Sequence, residues 1–138
     1  MNILVVDDEP AMAESIRIGL ESMGHRAFEA LSAQQALDLL YHGGHRIDLI
    51  ATDYLMPAMN GIDLLKAVRR SHPTLPVMIL TAYAETSLVI EALKNRCDSF
   101  IEKPFSLDQL VAEIERIKRR KTYDGSEKHH CENPNATS

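Results

Sequence analysis

The chain has 138 residues, a hydrophobic share of 45% and a net charge of −5 at neutral pH, which are the proportions of one compact globular domain. The acidic excess disfavours non-specific binding to nucleic acid, and no apolar run approaches the roughly 18 residues of a membrane-spanning helix. The chain opens on a short apolar strand followed by acids rather than on a signal peptide, so we expect a cytoplasmic protein in which Cys97 and Cys131 are free thiols.

Short apolar strands alternate with amphipathic helices along residues 1–121. Continuous apolar runs that end at polar residues predict strands, and apolar side chains that recur every three or four positions predict helices. In chain order, the predicted strands cover residues 3–6, 26–30, 48–52, 76–80 and 99–101. The predicted helices cover residues 10–23, 33–42, 62–72, 85–94 and 107–121.

Local signals support the predicted helix starts. Pro10 suits the first turn of the first helix, where its missing N–H costs nothing. Ser32 followed by Gln35, and Ser106 followed by Gln109, have the spacing of a capping box. We therefore expect the second and fifth helices to begin directly after these serines.

Five strands alternating with five helices predict an α/β fold, a parallel sheet with helices on both faces. The first, third and fourth strands are apolar throughout, as strands buried on both faces should be. Residues 1–121 are expected to form this domain. Residues 122–138 are polar and lack apolar periodicity, which predicts a disordered C-terminal tail.

Polar residues follow four of the five predicted strands. Asp7 and Asp8 follow the first strand, Asp53 the third, Thr81 the fourth and Lys103 the fifth. Right-handed crossovers place the carboxyl ends of parallel strands at one edge of the sheet, where such folds bind ligands. We therefore expect these side chains to meet in one site for Mg²⁺ and a phosphoryl group.

Hard oxygen ligands are what Mg²⁺ requires, and the strand ends offer them. Asp8, Asp53 and the backbone carbonyl near Leu55 can provide three protein oxygens, and Asp7 can hold a coordinated water. Asp53 is then the nucleophile that forms an acyl phosphate.

Transfer of the phosphoryl group needs aligned and neutralised oxygens rather than further covalent help. The ammonium group of Lys103 would neutralise charge, and the hydroxyl of Thr81 would bond one phosphoryl oxygen. Taken singly, Lys103 also fits a surface lysine and Thr81 a helix start. Asp63 and Asp98 are interpreted as solvated surface residues.

Four motifs occur together at these strand ends. They are Asp7-Asp8, Asp53 to Gly61 with Met56-Pro57, Thr81-Ala82, and Lys103-Pro104-Phe105. With them, residues 1 to about 121 resemble the receiver domain of two-component response regulators. The resemblance implies a flavodoxin-like (βα)5 fold with strand order 2-1-3-4-5, and a cis peptide bond between Lys103 and Pro104.

The resemblance also implies a signalling role. Asp53 accepts a phosphoryl group from a phosphohistidine of a sensor histidine kinase or phosphotransfer protein, with Mg²⁺. Thr81 then moves towards the phosphoryl group and Phe100 turns inward, which alters the face built from helix 4, strand 5 and helix 5. Such a protein is a regulatory switch rather than an enzyme, because it catalyses only its own phosphorylation and slow dephosphorylation.

The expected output is through protein partners. They are a downstream effector, an output domain missing from the chain, or a phosphorylation-dependent homodimer, with no membrane and no direct nucleic-acid contact. Two alternatives compete. A Mg²⁺-dependent aspartyl-phosphate phosphohydrolase needs a general acid two residues beyond Asp53, where Leu55 cannot transfer a proton. A degenerate receiver acting as a scaffold is disfavoured by the intact polar residues. The resemblance implies that Leu55 and Tyr83 flank the path of the attacking water, so we expect slow dephosphorylation.

Overall fold

A parallel five-stranded sheet organises the protein. The computed structural model describes residues 1–131, with side chains as far as residue 120. The strands are β1 (Asn2–Val6), β2 (Arg26–Ala30), β3 (Leu49–Asp53), β4 (Val77–Thr81) and β5 (Ser99–Glu102). All neighbouring strands are parallel, in the order β2-β1-β3-β4-β5. The predicted flavodoxin-like strand order is confirmed.

Five helices connect and follow the strands. They are α1 (Pro10–Ser22), α2 (Ala33–His42), α3 (Gly61–Ser71), α4 (Thr86–Lys94) and α5 (Leu107–Cys131). The chain divides into a unit of residues 1–107, which holds the sheet and α1 to α4, and a second unit that begins at Asp108 and contains most of α5. None of the helices in the described residues is long and apolar enough to cross a membrane.

Helices cover both faces of the sheet within residues 1–107. Buried apolar side chains of α2, α3 and α4 form one cluster with Leu4, Ile50 and Ile79 of the central strands. Because successive side chains of a strand point to opposite faces, Ile3 and Val5 face the other side, where α1 packs against β1 and β2. The central strands are therefore buried on both faces, as their continuous apolar sequence predicts.

Side-chain caps mark the starts of α2 and α3. The side chain of Ser32 accepts a hydrogen bond from the Gln35 N–H at 3.0 Å, as the sequence predicts. A full capping box, which the sequence reading missed, starts α3. Asn60 accepts hydrogen bonds from the N–H groups of Ile62 and Asp63, and Asp63 accepts one from the N–H of Asn60. Asp63 is exposed, but it has this structural role.

Gly61 allows α3 to begin directly against the end of β3. A Cβ atom at this position would lie 2.5 Å from the carbonyl oxygen of Asp53, closer than side chains tolerate. The Gly61 N–H donates a hydrogen bond to the Tyr54 carbonyl at 2.8 Å. The loop between β3 and α3 is thereby folded back onto the strand end that carries Asp53.

Asp98 is an anchor rather than the solvated residue that the sequence suggests. Its Oδ2 accepts hydrogen bonds from Arg69 Nη2 at 2.8 Å and from the Val77 N–H at 2.9 Å. Arg69 also donates to the carbonyl groups of Arg96 at 2.7 Å and Leu75 at 2.6 Å. One buried guanidinium therefore ties the end of α3 to the starts of β4 and β5.

The C-terminal helix extends beyond the boundary that the sequence predicts at residue 121. Its backbone continues to Cys131, and Leu110, Ile114 and Ile117 form its buried stripe. Residues 132–138 of the predicted tail lie outside the described residues, so their disorder stays a prediction. Cys97 is a free thiol, and the side chain of Cys131 lies outside the described ones.

We predict that Arg69→Met lowers the free energy of unfolding by about 3 kcal/mol, because it removes the guanidinium that pairs with the partly buried Asp98 carboxylate. Urea denaturation measures this change. Arg70→Met is the matched control, since Arg70 is exposed, and it should change the free energy by less than about 0.5 kcal/mol. Equal losses in the two variants would contradict the anchoring role.

Candidate functional site

Asp53 lies at the end of β3, the middle strand of the sheet. Its side chain is only 13% exposed and lies 3.2 Å from the ammonium nitrogen of Lys103, measured at Oδ1. The same Oδ1 accepts a hydrogen bond from the Tyr54 N–H at 3.0 Å. The carboxylate is therefore oriented by the chain that follows it and balanced by a lysine from another strand end.

Asp7 and Asp8 bring two further carboxylates from the end of β1. Asp7 is 3% exposed, and its Oδ1 accepts a hydrogen bond from the Glu9 N–H at 2.9 Å. Its Oδ2 lies 3.4 Å from Lys103 Nζ, so one ammonium contacts both Asp7 and Asp53. Asp8 is exposed at the rim.

Three carboxylates meet at this edge of the sheet. One oxygen each from Asp7, Asp8 and Asp53 lie within 4.8 Å of one another. This all-carboxylate set fits a hard divalent cation that keeps some of its water. Leu55 lines the same pocket, and a role for its backbone carbonyl as a ligand stays a prediction.

The surroundings of Asp53 disfavour its charged form. Burial raises the pKa of Asp53 above its ordinary value because the charged carboxylate loses hydration, and the neighbouring charge of Asp7 acts in the same direction. Lys103 and the Tyr54 N–H lower that pKa, but they do not offset the burial. A bound cation would lower the free-energy cost of ionising Asp53, and without a cation that cost remains.

Thr81 and Lys103 come from the neighbouring ends of β4 and β5. The N–H of Lys103 donates to the Thr81 carbonyl at 2.7 Å, which continues the β4–β5 pairing to the pocket. Thr81 is fully buried, and its hydroxyl accepts a hydrogen bond from the Tyr83 N–H at 2.9 Å. The Lys103–Pro104 peptide bond is cis.

The open pocket above Asp53 contains most of the predicted site, but not all of it. It is lined by Asp8, Glu9, Asp53, Leu55, Met56, Pro57, Ala82, Tyr83 and Lys103. Thr81 directly precedes Ala82 in the sequence, but it does not itself line the pocket. Phe100 is partly buried and packs against the core cluster under α2, α3 and α4, so its proposed movement stays a prediction. The oriented N–H of Tyr54 was not identified from the sequence, because a backbone donor leaves no signal there.

Comparison with known proteins identifies relatives across most of the chain. The model of the response regulator receiver domain family matches residues 3–115. The phosphate regulon transcriptional regulatory protein PhoB of Pseudomonas aeruginosa is 37% identical over 120 residues, which is 86% of this chain and 52% of that protein. The transcriptional regulatory protein CpxR of Escherichia coli K12 is 41% identical over 118 residues, 86% of this chain and 49% of that protein. The chain thus spans about half the length of these relatives.

Solved structures agree with the fold. A response regulator receiver domain protein from Clostridium thermocellum superposes with a TM-score of 0.83 at 30% identity, and covers 88% of this chain and 97% of its own. The chemotaxis protein CheY4 of Vibrio cholerae superposes with a TM-score of 0.79 at 25% identity, with 84% and 97% covered.

We predict that Asp53→Asn is more stable than the wild type at about pH 7 in EDTA, because the variant removes a carboxylate whose ionisation opposes folding. The folded-state pKa lies above the unfolded one, so this cost is present at neutral pH and disappears as the pH falls through the raised pKa. Urea denaturation of both proteins across the acidic range measures the difference. A wild type more stable than Asp53→Asn at neutral pH without divalent cations would contradict this cost of ionising Asp53.

Proposed function

The chain belongs to the response regulator receiver domain family, and we propose that Asp53 is the phosphoacceptor of a two-component signalling switch. The observation that carries the proposal is the position of the Asp53 carboxylate. It lies at the base of an open pocket, 3.2 Å from an ammonium group and within reach of two further carboxylates.

In the proposed reaction, a carboxylate oxygen of Asp53 attacks the phosphorus of a phosphohistidine on a sensor histidine kinase or phosphotransfer protein. The P–O bond of an acyl phosphate forms as the P–N bond breaks, and the imidazole leaves. Mg²⁺, held by Asp8, Asp53 and the Leu55 carbonyl with Asp7 on a coordinated water, would supply the positive charge that the phosphoryl oxygens need.

The ammonium group of Lys103 would stay in contact with the negative charge as this charge moves from Asp53 to the phosphoryl group. Its ammonium group lies between Asp7 and Asp53 before the reaction. When Asp53 becomes an acyl phosphate, negative charge moves from the carboxylate to the phosphoryl oxygens, and the flexible lysine side chain can move its contact with that charge. Lys103 thus stabilises the transferred group without taking part in bond making.

The Thr81 hydroxyl would contact the same phosphoryl group, because a hydroxyl can accept one hydrogen bond and donate another. The Tyr83 N–H already occupies an acceptor position of Thr81 Oγ1, which leaves the hydroxyl proton for a phosphoryl oxygen. We infer that this contact draws Thr81 and the following loop towards the phosphoryl group, and that Phe100 repacks inward behind them. The population shift would change the exposed surface of α4 and β5.

The switch would act by controlling a partner protein. PhoB and CpxR are named as transcriptional regulators and are about twice as long as the aligned region. For this chain we propose control of a downstream effector, of an attached output domain, or of a phosphorylation-dependent homodimer. The phosphohydrolase alternative gains nothing from the pocket, because Leu55 lines it where a general acid would be needed.

We predict that acetyl phosphate adds one phosphoryl group to the wild type only when Mg²⁺ is present. Asp53→Asn should fold but take up none, because an amide oxygen is too weak a nucleophile to form the acyl phosphate. Intact mass after a short incubation measures the product, and circular dichroism checks the fold. Asp38→Asn, an exposed change on α2, is the control and should react like the wild type. Phosphorylation of Asp53→Asn at the wild-type level would refute the assignment of Asp53 as the phosphoacceptor.

We further predict a phosphoryl lifetime of hours in the purified wild type with Mg²⁺. Leu55 and Tyr83 are 54% and 53% exposed at the pocket mouth, and Leu55 has no group that could orient an attacking water. Leu55→Asn should shorten the half-life about tenfold, the equivalent of about 1.4 kcal/mol of barrier. Leu93→Asn, at an exposed leucine on α4, should leave it unchanged. A wild-type half-life of seconds, or no response to Leu55→Asn, would rule out this role for Leu55.

A further inference from the structure

A second depression lies beside the phosphoacceptor pocket. This lateral groove runs between the loop after β3 and the start of α4, and its walls include Tyr54, Leu55, Tyr83, Glu85, Leu88 and Glu91. Leu55 and Tyr83 line both depressions, so the two share a wall. The groove has no role in the phosphotransfer chemistry derived above.

The residues that line the lateral groove include two tyrosines and two glutamates. Tyr83 is largely exposed, whereas Leu88 is buried beneath the groove. Glu91 forms an exposed ion pair with Lys66 at 3.6 Å. Glu85 precedes α4, but its side chain makes no capping hydrogen bond, and within the described part of the chain no ion pair engages its carboxylate. The groove therefore presents a carboxylate that local structure does not use.

We propose that the lateral groove receives an arginine side chain of a partner protein. A guanidinium can stack on a tyrosine ring and form paired hydrogen bonds with a carboxylate at the same time. Tyr83 and Glu85, which both line the groove, offer these two contacts. Leu88 offers an apolar surface for the methylene stem of the arginine.

Other occupants fit less well. An anion would meet Glu85 and Glu91, and beyond the shared wall Asp8 and Asp53. An apolar side chain would leave both glutamates without hydration or a partner. Lysine would satisfy one carboxylate, but its strongly hydrated ammonium gains less from a tyrosine face than a guanidinium does. Charge and ring surface together favour arginine.

The inference rests on the proposed function for its consequence, but not for the binding itself. An arginine seated against Leu55 and Tyr83 would cover one side of the mouth through which water reaches an acyl phosphate on Asp53. A partner that inserts this arginine would therefore bind next to the phosphoryl group and control its access to water. The groove would couple partner binding to signal lifetime.

The direct test is an amide chemical-shift titration with N-acetyl-arginine amide, without Mg²⁺ or phosphodonor. N-acetyl-citrulline amide is the matched probe, since it has nearly the same shape without the charge. We expect the arginine probe to shift the amides of Tyr54, Leu55, Tyr83, Glu85 and Leu88, and the citrulline probe to bind at least about fivefold more weakly. Equal binding of both probes, or shifts that centre on other residues, would overturn the proposal.

Two variants with opposite expected effects make the test specific. Glu85→Gln removes the free carboxylate and should weaken the arginine probe about threefold to fivefold, whereas Lys66→Met releases Glu91 and should strengthen it. Glu14→Gln, an exposed change on α1, is the control and should have no effect. Unchanged affinity in both groove variants would contradict the assignment.

Phosphorylation of the same proteins by acetyl phosphate separates the two proposals. Wild type that is phosphorylated but does not bind the arginine probe would refute the groove inference alone. Wild type that binds the probe but is never phosphorylated would leave the arginine site established and refute the proposed function. Glu85→Gln should be phosphorylated like the wild type, because Glu85 does not line the phosphoacceptor pocket.

Discussion

One ammonium group shared by two buried carboxylates is the interaction on which the site depends. Lys103 comes from the end of β5, whereas Asp53 ends β3, so the lysine must reach past the end of β4. Thr81, a small and fully buried residue, ends β4 between them. The strand order thus determines which charges can meet. Because burial disfavours the charged form of Asp53 and three carboxylates meet beside it, the pocket suits a divalent cation, which is the charge that the proposed phosphoryl transfer needs.

The sequence predicted those features that depend on strand ends. Continuous apolar runs located β1, β3 and β4, and the rule that parallel strands end at one edge brought Asp7, Asp53 and Lys103 together. Features that depend on distant partners were not visible. Asp98 looked like a solvated acid because its partner, Arg69, lies on a different element 29 positions earlier. The extension of α5 beyond residue 121 was also missed, since that polar segment has no apolar stripe and gives no periodic signal.

In the two proposals, the phosphoacceptor pocket and the lateral groove give one region of the protein two different tasks. Phosphoryl transfer requires oxygen ligands and a flexible lysine side chain, and these come from the ends of the strands. Recognition of a partner requires exposed rings and unused charge, and these come from the loop after β4 and the start of α4. Leu55 and Tyr83 belong to both, so a change in either would alter hydrolysis and partner contact together. Loops placed by a rigid scaffold commonly have such combined roles.

A crystal structure of the protein with Mg²⁺ and beryllium fluoride, a stable mimic of a phosphoryl group, tests the central claim most directly. We expect fluoroberyllate on a carboxylate oxygen of Asp53, with Thr81 Oγ1 and Lys103 Nζ contacting its fluorine atoms and Mg²⁺ beside Asp8. Fluoroberyllate on another residue, or bound at Asp53 with Lys103 turned away, would contradict it.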